Sequence, residues 1–308
     1  MPDAPLFEVY RGDGSTLSDR SQTLPPYESI TRANAPVGYV AAPPLRDAVN
    51  VALALGQPLL LTGEPGTGKT QLAWSIAHEL GLEKPLIFNT KTTSTARDLF
   101  YRYDSLAHFH DAQLKEKSQL DVRNYITYEA LGKAIIDSTK RRSVVLIDEI
   151  DKAPRDLPND ILNELESMSF TVRETGEQFR AETGQRPILL MTSNSEKNLP
   201  DAFLRRVVYY HIPFPDKETL EKIVANRLQL SDRFRQNMLS DAINHFLEIR
   251  RSKGLRKPPA TAELLAWIHI LDRHEIDIHA DIEAQVRKLA MSYSILAKSK
   301  DDLDKINR

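Results

Sequence analysis

The chain has no cysteine among its 308 residues. That excludes disulfides and any thiolate-ligated metal centre, so its chemistry rests on oxygen and nitrogen groups. It also lacks a long apolar run. The greasiest stretch is interrupted at Gly56-Gln57-Pro58, well short of the ~20 residues that cross a bilayer, and no membrane insertion is expected. The first residues, MPDAPLFEVYRGDG, carry neither the basic segment nor the apolar core of a secretion signal, so a cytoplasmic location is the expectation. Neither sign of charge is in excess: 41 Lys and Arg face 43 Asp and Glu, a net charge of −2. This disfavours a protein that holds nucleic acid through overall positive charge, leaving only a local basic patch for such a role.

What is present suffices for real cores: 41% of the residues are hydrophobic, in a length that suits one large or two modest domains. The most informative stretch is GQPLLLTGEPGTGKT, residues 56–70. Gly63, Gly68, Lys69 and Thr70 fill every fixed position of a GxxxxGK motif closed by Ser or Thr, and Gly66 adds another residue free of a Cβ. The Leu59-Leu60-Leu61 run before it reads as a buried strand, and Leu72, Ile76 and Leu80 after it lie four apart on one helical face that Gly81 ends. A strand–turn–helix of this kind aims backbone amides and a helix N-terminus at phosphate oxygens. The cradle as read runs through Gly63, Glu64, Pro65, Gly66, Thr67, Gly68, Lys69, Thr70 and Gln71. Lys69 reaches the β- and γ-phosphates and the Thr70 hydroxyl ligates Mg²⁺. An ordinary glycine turn accounts for the glycines but not for Lys69-Thr70.

Residues 1–36 are rich in Ser, Thr, Pro, Gly and charge and read as an N-terminal extension. Leu45, Val49 and Leu53 then mark a helix, and Pro85–Phe88 reads as a second buried strand ending at Asn89. Residues 98–128 mix aromatics, charge and two histidines without a clean period, as an insertion does. His108 and His110 have one carboxylate beside them, Asp111, and read as exposed histidines rather than metal ligands. A helix is expected from Tyr128 to Asp137. The strand Ser143–Ile147 is aliphatic throughout, as one buried on both faces in a parallel sheet, and ends in Asp148-Glu149. In a chain that already has a phosphate cradle, such a pair suits Mg²⁺ coordination by Asp148 and activation of water by Glu149. Asp151 reads as an ordinary acid at a helix start. Leu157, Ile161, Leu165 and Met168 share a helical face, residues 169–180 read as a hairpin, and Pro187–Met191 is a strand that brings Thr192-Ser193-Asn194 to its edge. There Asn194 suits a lytic water or the γ-phosphate. Paired arginines, Arg205 and Arg206, precede a fifth strand, Val207–Ile212.

Beyond Pro213 and Pro215 the pattern is helical, with Asp216 as an N-cap, apolar positions at Leu220, Ile223, Val224 and Leu228, and later faces that include Ile282, Val286, Leu289 and Tyr293. A basic run, residues 250–257, suits either phosphate contact or a solvated face. The expected fold is a three-layer αβα P-loop NTPase with a parallel five-stranded sheet (residues 37–213, with insertions near 98–128 and 169–180). An all-helical lid follows (residues 214–308), with nucleotide between the two.

With GEPGTGKT, VVLIDEIDKA, TSN and LPDAFLRR in this order and spacing, residues 37–300 resemble the AAA+ ATPases, and within them the MoxR-like ATPases. The resemblance implies ATP hydrolysis with Mg²⁺, assembly of copies into a ring, expected to be a hexamer, and remodelling of a protein client, often a von Willebrand factor A-domain protein or a maturing metalloenzyme. It puts Lys69 and Thr70 in Walker A, Asp148 and Glu149 in Walker B, and Asn194 at sensor 1. Arg206 would be the arginine finger that acts on a neighbour, with Arg205 as its alternate, and Asn89 the polar residue that restrains the catalytic glutamate. One departure stands out. Where the family places a sensor 2 arginine, this chain reads Pro258-Pro259-Ala260-Thr261-Ala262-Glu263, so either Arg256 or Lys257 reaches in from the preceding loop or the lid senses nucleotide weakly. Two other readings are disfavoured: a nucleic-acid motor or nuclease subunit by the near-neutral composition, and a non-hydrolysing switch by the intact acid pair. No base-reading NKxD-type motif supports GTP.

Overall fold

A computed structural model describes residues 38–114, 120–195, 199–252, 254–279, 281 and 283–307; the extension expected at 1–36 lies outside them. The described residues divide into two compact units, Ala41–Phe214 and a second that contains residues from Pro215 onward together with residues 38–40.

The first unit begins with α1 (Pro43–Leu55), β1 (Leu59–Thr62), α2 (Lys69–Glu79) and β2 (Leu86–Asn89). After β3 (Tyr101–Tyr103), α3 (Ser105–Leu114), β4 (Ile126–Tyr128) and α4 (Ala130–Asp137) comes the aliphatic strand β5 (Val144–Asp148). Then follow α5 (Leu157–Asp160), α6 (Leu162–Ser167), the hairpin β6 (Ser169–Thr171) and β7 (Gln178–Arg180), β8 (Ile188–Thr192), α7 (Asp201–Leu204) and β9 (Val208–His211). Five of these strands form one parallel sheet in the order β2-β5-β8-β1-β9, flanked by helices as an αβα sandwich. Val144 through Ile147 and Leu59 through Thr62 are buried throughout, which is why those runs carry no polar alternation. β2 departs from the buried reading. It is an edge strand, and only Phe88 of it is buried while Ile87 is 37% exposed. Leu80 also departs: α2 ends at Glu79, and a four-residue step advances about 40° beyond a full turn, so Leu80 has rotated off the face of Leu72 and Ile76 and is exposed. Tyr128 belongs to β4 rather than to a helix, because it pairs with Tyr101.

The two segments that the sequence suggests are insertions pack against each other, although they lie far apart in the chain. β3 and β4 form one antiparallel ladder and β6 and β7 another. Phe170 stacks on Phe100 and Phe179, both at 5.2 Å between ring centroids, and Tyr128 meets Phe179 edge-on at 5.6 Å. The buried Tyr101 hydroxyl donates to Glu174 at 2.8 Å and accepts from the Arg173 amide at 3.0 Å. Arg123 pairs with Glu177 across the same junction at 2.8 Å. His108 bonds the Tyr103 hydroxyl and stacks on Tyr125 at 4.7 Å, a packing role. Behind this junction Gly132 of α4 passes so close to β3 that an added Cβ would lie 1.9 Å from the Phe100 carbonyl oxygen. That carbonyl also accepts from the Glu129 amide. Gly132→Ala is therefore expected to destabilise the fold by about 3 kcal/mol, measured by chemical denaturation; a loss below about 0.5 kcal/mol would mean that the helix yields freely.

The second unit is helical: α8 (Lys217–Arg227), α9 (Asp232–Asn237), α10 (Leu239–Ser252), α11 (Thr261–Arg273), α12 (Glu283–Ser292) and α13 (Lys300–Ile306). Asp216 caps α8 by accepting from the Thr219 amide at 2.9 Å. Leu220, Val224, Phe246, Leu264, Trp267 and Ile268 fill its core. Val286, expected on the buried face of α12, is 50% exposed, and Tyr293 beyond the helix is buried. Ile282 lies outside the described residues. No helix among the described residues is long and apolar enough to cross a membrane.

Candidate functional site

β1 delivers its chain end into the glycine turn, and two glycines explain the path. Gly63 has φ 144°, and a Cβ there would lie 2.5 Å from the Ile212 carbonyl oxygen of the neighbouring chain segment. Gly68, with φ 89°, is the N-cap from which α2 starts. Thr67 closes the turn by donating to the Glu64 carbonyl at 2.9 Å. Pro65 has no N–H, so it shapes the turn without donating to a ligand.

Lys69 is buried at the first position of α2 and folds back into the loop. Its ammonium donates to the carbonyls of Gly63 (2.7 Å) and Glu64 (2.9 Å) and to Oδ1 of Asn194 (3.0 Å). Burial holds its pKa below the ordinary lysine value, against the opposing pull of Asp148, Asp151, Glu149 and Glu64. A desolvated ammonium held by neutral oxygens and facing a turn of backbone is suited to bind phosphate.

Parallel pairing gathers the other groups at the same sheet edge. Asn89 lies in register with Asp148, Ile147 with Met191, and Leu61 with Thr192. Oδ1 of Asp148 accepts from the Thr70 hydroxyl at 3.1 Å and from the Thr192 hydroxyl at 2.5 Å. Glu149 turns out of the strand in the left-handed region (φ 56°, ψ 51°), and its amide donates to Oγ1 of Thr192 at 2.8 Å. Its carboxylate pairs with Lys152 and accepts from Nδ2 of Asn194 at 3.3 Å. Asp151 receives the Asn194 amide at 3.4 Å. The Glu149 carboxylate thus takes Lys152 and Asn194 as partners, whereas Asn89 stands one strand away, beside Asp148. The Thr70 hydroxyl and the Asp148 carboxylate are hard oxygen donors of the kind Mg²⁺ takes alongside phosphate and water. Among the described residues no group of three or more His, Asp or Glu side chains could hold a metal ion.

Arg205 and Arg206 follow α7 and are exposed. Nε of Arg206 pairs with Glu166 of α6, and its NH1 donates to the Ala202 carbonyl at 3.2 Å. Both arginines line a cleft of about 350 Å³ with Arg186, whose guanidinium donates to the carbonyls of Leu165 (2.9 Å) and Glu166 (3.1 Å) and so caps the end of α6. Arg256 belongs to the helical unit, where its amide donates to the buried Asp302 at 2.9 Å and its side chain faces Asp301 at 3.5 Å.

The sequence reading did not single out Thr192 or Lys152 as part of the site. Each had a local signal: Thr192 is the last residue of a buried strand, and Lys152 lies three positions beyond Glu149 on the turn that follows it.

Residues 58–207 match the sequence family described as AAA domain (dynein-related subfamily). This segment is similar to AAA+ domains. The chain is also 28% identical over 224 residues to an uncharacterized protein of Bacillus subtilis, YojN, covering 70% of this chain and 67% of that one. Among solved structures it is similar to a RuvB from Thermotoga maritima that carries a threonine-to-valine substitution, with 16% identity and a TM-score of 0.40. That match covers 85% of this chain, which spans only 65% of the RuvB chain.

Proposed function

We propose that this protein is a Mg²⁺-dependent ATP hydrolase of the MoxR-like AAA+ type, that copies assemble into a ring, and that turnover remodels or matures a protein client. One observation carries the reading: two acids, two hydroxyls, an amide side chain and a buried ammonium, drawn from β5, β8 and the start of α2, converge at one sheet edge. Glu149 takes the proton of the attacking water, Asn194 orients that water and the γ-phosphate, and Lys69 binds the β- and γ-phosphates. Thr70 and Asp148 would hold Mg²⁺, which when bound would neutralise charge on the phosphoryl group. Arg206 of one copy acts on nucleotide held by the next. The near-zero net charge favours a protein client over nucleic acid. A von Willebrand factor A-domain protein is the partner class that the resemblance suggests.

Lys69→Met tests the cradle, because it keeps the aliphatic stem and removes the charge. Burial lowers the folded-state pKa below the ordinary 10.5, so the charge opposes folding at neutral pH, and that opposition fades only as pH rises towards 10.5. Without nucleotide the variant is expected to melt at the parent's temperature or above it. ATP at about 100 times the parent's Kd should add roughly 2.7 kcal/mol to the parent and nothing to the variant. Equal binding of a fluorescent ATP analogue by both proteins would sink the cradle, and a parent that releases no phosphate from ATP with Mg²⁺ would sink the hydrolase.

A further inference from the structure

We infer that Thr192 is a positioning residue for the reaction proposed above: its one hydroxyl locks Asp148 and Glu149 into their working arrangement. Thr192 is the last residue of β8, its side chain is fully buried, and it lies beside the end of β5. A hydroxyl has one hydrogen to give and two lone pairs. The Glu149 amide can only donate, so its 2.8 Å contact uses a lone pair of Oγ1 and leaves the hydroxyl hydrogen for Asp148, 2.5 Å away. Both bonds are therefore satisfied at once, and together they span the acid pair.

The pair needs such a clamp. Glu149 is one of three non-glycine residues at positive φ among the described residues, a conformation that persists only where surrounding contacts impose it. The turn aims its carboxylate towards Asn194 and Lys152 rather than along the strand. Thr70 also bonds Asp148, but the reading above gives the Thr70 hydroxyl to Mg²⁺ when nucleotide binds. Thr192 is then the contact to Asp148 that persists through the cycle. Thr192 is fully buried at the strand end and has no route to solvent or substrate, so it acts through the two acids and not on the nucleotide.

Two substitutions separate packing from hydrogen bonding. Thr192→Val keeps the β-branched shape and loses the hydroxyl; Thr192→Ser keeps the hydroxyl and loses a methyl group. In the full chain, amide hydrogen exchange at Glu149 without nucleotide, binding of a fluorescent ATP analogue with Mg²⁺ or with EDTA, and steady-state hydrolysis are measured. Thr192→Val is expected to speed exchange at Glu149 by about 10-fold or more, with the middle of β5 unchanged. It should keep affinity in EDTA within about twofold, blunt the gain in affinity from Mg²⁺, and lower kcat by about 10- to 100-fold, the loss expected for a hydrogen bond to a charged group. Thr192→Ser should restore all of these to within about threefold. The opposite order, with valine harmless and serine damaging, would assign Thr192 to packing and overturn the inference. If the parent hydrolyses no nucleotide, the functional reading fails by itself, and exchange alone decides the clamp: a rate at Glu149 that valine leaves unchanged overturns it. Should Thr192→Val not fold, the parent decides, because a Glu149 amide that exchanges at the rate of a free chain excludes the clamp.

Discussion

Arg206→Ala is expected to bind ATP as the parent does and to hydrolyse it about 10³–10⁵-fold more slowly, the range that a guanidinium supplied to the transferring phosphoryl group contributes. Its charge matters where negative charge spreads in the transition state, and less in the ground state, so affinity should change little. Within one chain Arg206 pairs with Glu166, and the two side chains are 41% and 56% exposed. An exposed pair of this kind is worth at most about 1 kcal/mol, whereas 10³–10⁵ in rate corresponds to about 4–7 kcal/mol. In the proposed ring, releasing Glu166 to reach a neighbour's phosphate would thus be a minor cost. Mixing tests the trans assignment. Arg206→Ala retains an intact acid pair, and Glu149→Gln retains an intact finger, so rings that contain both should regain activity that neither has alone. No recovery in rings shown to be mixed, or full activity in a proven monomer, would end the assignment. Arg205, exposed beside it on the same cleft, is the first replacement to examine.

Glu149→Gln should keep ATP binding and lower kcat by about 10²–10⁴, as loss of a general base does. The glutamine side chain has the same shape, and its carbonyl oxygen can still accept from Nδ2 of Asn194, so the left-handed turn and its bond to Thr192 should survive. What is lost is the negative charge that Lys152 faces and that, in the proposed reaction, draws the proton from water. Asp148→Asn should behave differently: its defect should appear as a higher Mg²⁺ requirement rather than as a uniform drop in kcat. Loaded with ATP, the Glu149→Gln protein should hold both nucleotide and client, and a von Willebrand factor A-domain protein recovered with it would identify the client class. Near-parental hydrolysis by this variant would move the base role to Asp151, the acid that the Asn194 amide touches.

Local chemistry made part of this protein legible in the sequence alone. Positive-φ glycines, an apolar run before them and a helix start after them are short-range features, so GEPGTGKT specifies its own strand–turn–helix whatever surrounds it. Uninterrupted aliphatic runs likewise marked β5 and β8 as strands of a parallel sheet, because a strand covered on both faces has no polar side to display. Strand order is another matter. That β2 ends at an edge, with Ile87 exposed, depends on which strand pairs with which, and an apolar tetrapeptide reads the same in either place. Tertiary structure also decided the partners in the site: Lys69 meets Asn194 across 125 positions of chain, and Thr192 meets Asp148 across 44. The docking of the two insertions through Phe170 and Tyr101 is of the same kind. Side-chain periodicity is a property of neighbouring residues, whereas a hydrogen bond depends on direction and on a register fixed only when distant strands align.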